Sequence, residues 1–209
     1  MNGFQRIVWL AATLALAGPV AAADAGKELA VDLRQAEVRL AEMRQIYLEN
    51  HPKLAEQQIR VTELQRQVKS GSGEPRVLQL ARVELAVGRQ HYLEKHPTYQ
   101  VLALRVAALE REWRTDPAAP EVLIEARADL EVGGLRYAER HPAYEAQRRK
   151  VAALERNLRG GTPENFELNV ARATREYYAG RYDENHPKMQ ALAEQIRVLE
   201  QATPPAPAK

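Results

Sequence analysis

The chain has 209 residues, no cysteine, and 30 basic against 28 acidic side chains for a formal charge of +2. Charge so balanced gives no general attraction to nucleic acid or anionic lipid, and without thiols neither disulfides nor thiolate zinc sites can form. Charged residues at 28% with only two Phe predict long, salt-laced helices rather than sheet, in one domain of ordinary size.

The first stretch reads as an address. Arg6 gives a short positive region, Ile7 to Ala17 is an apolar run, Gly18-Pro19 breaks it, and Ala21-Ala22-Ala23 offers a small-x-small cleavage pattern. The run is shorter than the roughly 20 apolar residues a bilayer span needs. Residues 1–23 are therefore expected to be a signal peptide, removed with Arg6 to leave a charge of +1. No Cys follows it to take a lipid, and no later stretch is apolar enough to span a membrane. A periplasmic or secreted protein without stable membrane insertion is expected.

From about Leu29 one pattern is written four times. His-Pro stands at His51-Pro52, His96-Pro97, His141-Pro142 and His186-Pro187, 45 residues apart each time. Tyr47, Tyr92, Tyr137 and Tyr182 precede each His by four positions, and Glu49, Glu94, Glu139 and Glu184 by two. A fixed period of this length predicts supersecondary units that bury their apolar faces against one another. The units run over about 29–73, 74–118, 119–163 and 164–202, and 203–209 form an extended Pro/Ala tail.

Within a unit, apolar or small residues recur at three-four spacing, as in Leu78, Ala81, Leu85, Gly88 and Tyr92. After the Pro the rhythm resumes with Tyr99, Leu102, Val106, Leu109 and Trp113. Proline inside a helix costs about 3 kcal/mol yet suits its first position. The first helix of unit one is thus predicted to stop near Glu49, and the second to start at Pro52. A two-residue link then folds them into an antiparallel hairpin, with Asn50 and Asn185 suited to closing a helix in the left-handed conformation. The fold expected is all-α: four tandem helical hairpins, as an α-solenoid or bundle. Because the heptad phase runs through each Pro, the alternative is four long antiparallel helices kinked there.

Between units the chain turns at Ser70–Pro75, Thr115–Pro120 and Gly160–Asn165. The second helix of unit two adds Val101, Ala103, Leu104, Ala107 and Ala108 to its seam, which predicts a central place. Unit four carries Arg175 in place of a seam leucine and Tyr177-Tyr178, as an end unit would. Gly88 and Gly133 stand on the seam, where either close helix approach or tolerance accounts for them.

Tyr182-Asp183-Glu184-Asn185-His186-Pro187-Lys188-Met189-Gln190-Ala191-Leu192, and Tyr92 to Leu109 about as well, resemble the periplasmic coiled-coil segment of polysaccharide co-polymerases, the chain-length determinants of exopolysaccharide and capsule export. The resemblance covers about 25 residues per copy. It implies an envelope setting and a helical scaffold. Flanking transmembrane helices and a nucleotide-binding loop, which that family has, are missing, so no polymer-length activity and no catalytic residue carries over.

No phosphate loop, GxSxG elbow, HExxH or calcium loop occurs. Four histidines, one per unit, suggest imidazole metal ligands, but stacked helices hold neighbours about 10 Å or more apart, too far to share an ion. The glutamate beside each His has the chemistry of a general acid, with no nucleophile to serve. The tyrosines have flat faces suited to sugars, although their seam positions assign them to the core. No catalytic residue, metal site or cofactor is assigned. The twelve Tyr, His and Pro residues of the turns are the candidate interaction residues. The expected function is a non-enzymatic scaffold or adaptor for another envelope protein or for itself, with a link to exopolysaccharide export. A periplasmic metal-binding or stress-sensing protein and a glycan holder are the alternatives.

Overall fold

A computed structural model describes residues 21–138, 140–159 and 166–202. Among them are eight helices and no strand: α1 Ala21–Ile46, α2 Pro52–Ser70, α3 Arg76–His91, α4 Pro97–Thr115, α5 Glu121–Arg136, α6 Pro142–Arg159, α7 Phe166–Ala179 and α8 Pro187–Ala202. The fold is all-α. Most of the expected signal peptide, the Gly160–Asn165 turn and the Pro/Ala tail lie outside the described residues, while α1 already includes Ala21-Ala22-Ala23.

Every His-Pro proline is the first residue of a helix, where its missing N–H deprives nothing of a partner. A shaft kinked at Pro is thus not the geometry adopted. Each helix packs on the next in sequence, α1 also meets α3, and α3 meets α5. Among the described residues no helix touches one further along, the contact pattern of a row of stacked elements. Two left-handed glycines, Gly71 at φ 53° and Gly73 at φ 64°, turn the chain from α2 to α3, a conformation open to glycine without the Cβ clash other residues suffer.

The three-four spacing of apolar residues decides which face is buried, and the cores follow one another along the row. Leu29, Leu40, Leu54, Val61 and Leu64 of α1 and α2 close over Val83 of α3. Leu78, Val106 and Leu109 of α3 and α4 close over Ile124 and Ala128 of α5, and Leu123, Ala126, Val151 and Leu154 over Val170 and Ala173 of α7. Leu168, Ala171 and Ile196 form the smaller last cluster. Each of the first three cores therefore joins one helical pair to the first helix of the next. Burying one such Val contributes about 1.5–3 kcal/mol, so a joint stabilises both units it links.

The place of α4 is central, between α3 and α5, but it is not buried all round as its composition predicts. Ala108 and Leu109 are enclosed, whereas Ala107 is exposed and Leu104 remains 41% exposed. A helix flanked on two sides still has an outer stripe. Arg175 departs from the seam role of its leucine counterparts and lies exposed, 3.5 Å from Glu184.

Ion pairs are written in the same period as the apolar seam. Arg82 meets Glu110 at 2.9 Å, Arg127 meets Glu155 at 2.8 Å, and Arg172 meets Glu200 at 2.7 Å, each across a helical pair and 28 residues apart. Arg111 with Glu131, and Arg156 with Glu176, bridge from one pair to the next. Exposed pairs of this kind contribute about 0–1 kcal/mol each, so they select the register in which helices lie rather than hold the row together. Arg82 is also bound by Glu74 at 2.6 Å. Burial pushes the Glu74 carboxyl up, but hydrogen bonds from Arg82 and Ser72 and the charges of Arg82 and Arg114 outweigh it, leaving it below the ordinary 4.5. A carboxyl so lowered adds stability above 4.5 and loses it as pH falls through its own lower value. Glu74→Gln should therefore unfold more readily than the parent chain at pH 7, by about 0.5–1 kcal/mol with solvent screening allowed for. In urea titrations the difference between the two should shrink as pH falls below 4.5.

The two seam glycines differ. A Cβ on Gly88 would stand 2.7 Å from Leu102 Cδ1, while one on Gly133 would meet only Tyr144 at 3.7 Å. Close approach explains the first and tolerance the second. Gly133→Ala should raise stability by about 0.5–1 kcal/mol through helix propensity. In Gly88→Ala the displacement of Leu102 should cancel that gain, and thermal melts of the two variants test the difference.

Candidate functional site

Because odd and even helices run in opposite senses, all four His-Pro turns lie along one edge of the row. Each is built by the same steps. The backbone N–H of Tyr47, Tyr92, Tyr137 or Tyr182 bonds to the carbonyl four residues back at 2.9 Å, but Tyr92 and Tyr137 are already extended, at φ −124° and −127°. The N–H of His51, His96, His141 or His186 then bonds to the carbonyl three residues back, at 2.8–3.1 Å, closing a β-turn.

The imidazole is the helix cap. His51 Nδ1 accepts from Lys53 N at 3.3 Å, and His96, His141 and His186 accept from Thr98, Ala143 and Lys188 N at 3.2 Å. Each His therefore holds its proton on Nε2 and satisfies one of the donors a helix N-terminus leaves open. The tyrosine ring lies on the imidazole, with centroids 4.2, 4.4, 4.4 and 3.9 Å apart along the chain and planes within 26°. Lys53, Arg136 and Lys188 sit over Tyr47, Tyr137 and Tyr182 at 5.5–5.9 Å.

This geometry corrects two expectations. The first helix of each pair ends at Ile46, His91, Arg136 or Ala179 rather than near the glutamate, so five or more residues link the helices instead of two. The tyrosines are not core: Tyr137 is 37% exposed and the other three half-buried. One cause underlies both, since a tyrosine kept in the helix could not fold its ring back over the His that caps the next. At Asn50 and Asn185 the β-turn does what a left-handed closing residue was expected to do.

His96→Ala removes cap and stacking partner together. It should cost about 1–2 kcal/mol, while His96→Asn, which keeps an acceptor, should recover about half; chemical denaturation of the two variants checks this.

Of the turn glutamates, Glu184 is drawn to Arg175 rather than to His186, and Glu139 lies outside the described residues. The fifth histidine, His91, pairs through Nε2 with Glu56 of α2 at 3.0 Å. Among the described residues no group of three or more His, Asp or Glu is placed to hold a metal ion.

What sequence reasoning missed is the apolar character of the edge. Ile46 is 74%, Leu48 86%, Leu93 85% and Leu135 65% exposed. With Tyr137 they make five of the nine large hydrophobic residues exposed among those described, so exposure concentrates at the turns. Leu48 and Leu93 each stand three residues before the His, off the three-four seam, and that misplacement was the signal available. Beside the second turn a shallow groove of about 420 Å³ is lined by Glu94, Tyr99, Gln100, Ala103 and Leu104.

Comparison with known proteins finds no matching family model, no similar curated protein and no similar solved structure. Among the described residues no helix is long and apolar enough to cross a membrane. The turn edge itself is thus the ground for a functional reading.

Proposed function

We propose that the chain is an exported, non-enzymatic helical scaffold or adaptor that binds another protein of the cell envelope along its turn edge. The observation that carries this reading is the exposure of Ile46, Leu48, Leu93 and Leu135 beside four stacked Tyr-His pairs. A run of exposed apolar side chains set among polar ones is the mark of an interaction surface. The caps make the edge rigid, so little order has to be created on binding. Partner choice then rests on residues that differ between turns: Leu48 and Leu93 give way to Ala138 and Asp183 at the same place. A setting in exopolysaccharide export is supported by the resemblance of the Tyr-to-Leu segments to the co-polymerase hairpin.

In-cell cross-linking followed by mass spectrometry tests the reading. A protein partner should be recovered with the parent chain and lost with a Leu48→Glu/Leu93→Glu variant of unchanged helicity. Recovery of no partner, or of the same partner with both chains, would count against it.

A further inference from the structure

The two ends of the row carry an unfinished version of its internal joints. Val83, Ala128 and Ala173 stand at the same place in the first helix of units two, three and four, and all are fully enclosed at 0% exposure by the preceding pair. Val38 is that residue in unit one, and it is 60% exposed. On the other side, the second and third joints have Ala108 and Ala153, 1% and 0% exposed, where the first has Glu63; Val198, their counterpart in α8, is 51% exposed. Ala108 shares its core with Ala128, and Ala153 shares its core with Ala173. The two uncovered valines are therefore the two halves of one contact, at opposite ends of the molecule.

We infer that α8 of one copy takes α1 of a second, head to tail, in the register of the internal joints. Val198 then meets Val38, as Ala108 is placed with Ala128. Charge does not oppose it. The internal ion pairs Arg105 with Asp129 and Arg111 with Glu131 fall at Gln195 with Arg39 and at Gln201 with Ala41, so no like charges meet there. Antiparallel packing also brings Arg34 to the C-terminal end of α8, the favourable end for a cation. The joint is weaker than the one between the second and third pairs, because Arg34 and Glu42 stand where that joint has Ile124 and Val132. Association is consequently reversible, with a dissociation constant of about 10–1000 µM for so small an interface. Such a contact is heterologous and does not close on itself, so it builds short rows rather than a fixed dimer. It uses the ends and not the turn edge, and stands independently of the proposed function.

The lack of native cysteine makes the test clean. Under mild oxidation, the Val38→Cys/Val198→Cys chain should give a ladder of multimers on a non-reducing gel. A mixture of the two single variants should give dimers, and Val38→Cys alone should give no more than Arg148→Cys, an exposed control on α6. In sedimentation velocity from about 10 µM to 1 mM, the parent chain should pass beyond dimer. Val38→Glu should weaken association at least about tenfold by leaving a carboxylate in the joint, with helicity unchanged because the site is exposed in the single molecule. Monomer throughout, a dimer favoured by Val38→Cys alone, or association only in chains that keep residues 1–23 would each overturn the inference, the last by making the apolar leader the occupant of α1.

Discussion

Leu109→Ala should lower the free energy of unfolding by about 3–4 kcal/mol, among the largest effects of any conservative truncation in the chain. Leu109 is 0% exposed and sits where α3, α4 and α5 meet, packed among Leu78, Ile124 and Ala128. Its removal forfeits transfer energy and leaves a cavity, and two helical pairs lose contacts at once, so neither can close the gap alone. The comparison that gives the number meaning is Leu199→Ala. Leu199 occupies the same place in α8 but is only partly buried, beside the small cluster of Leu168, Ala171 and Ile196. Solvent reaches the space it would vacate, and the loss should be about 1 kcal/mol. Urea midpoints followed by circular dichroism should show the midpoint of Leu109→Ala falling well below that of Leu199→Ala. Equal shifts would mean that the joint between the second and third pairs is not the core it is taken to be.

Ala128→Asp should be more damaging still, at about 3–5 kcal/mol or outright loss of the fold. A side chain with 0% exposure between α4 and α5 would become an unpaired carboxylate in an apolar joint. Cations on the flanking helices are already engaged: Arg105 by Glu125 and Asp129, and Arg127 by Glu112 and Glu155. Val38→Asp, the same chemistry at the same place in the first unit, should leave helicity and melting temperature of the single molecule nearly unchanged. Limited proteolysis distinguishes a local from a global failure. Cleavage of Ala128→Asp should begin around α5 and spare α1 and α2, whose core closes on Val83 without help from α5.

Much of this was readable in the residues, and the reasons differ by feature. Helix starts followed from proline, because a residue with one allowed φ and no N–H leaves few solutions; all four fall on the proline named. The all-α class followed from the three-four spacing of Leu and Ala. Helix ends were misplaced because nothing in a tyrosine's propensity announces that it will leave the helix to cover a histidine. That choice is made by a contact four residues on. The spacing of the histidines spoke against a shared metal ion, but nothing in it announced that each imidazole accepts from the backbone N–H two residues on. The exposed leucines were overlooked because seam reasoning accounts for apolar residues that fit the period and is silent about those that do not. Burial of identical positions was beyond reach for another reason: Val38 and Val83 share a residue type and a place in their units, and only the presence of a preceding pair makes one a core residue.

Among the described residues, contacts that never reach past the next helix but one have a consequence for how the chain acquires and loses structure. Contact order is low, so little loop-closure entropy opposes each step and folding is expected in milliseconds or less. Stability is then a sum of local and nearest-neighbour contributions. Amide protection should decline from the middle of the row toward its termini, with α8 opening first and the helices around Leu109 last.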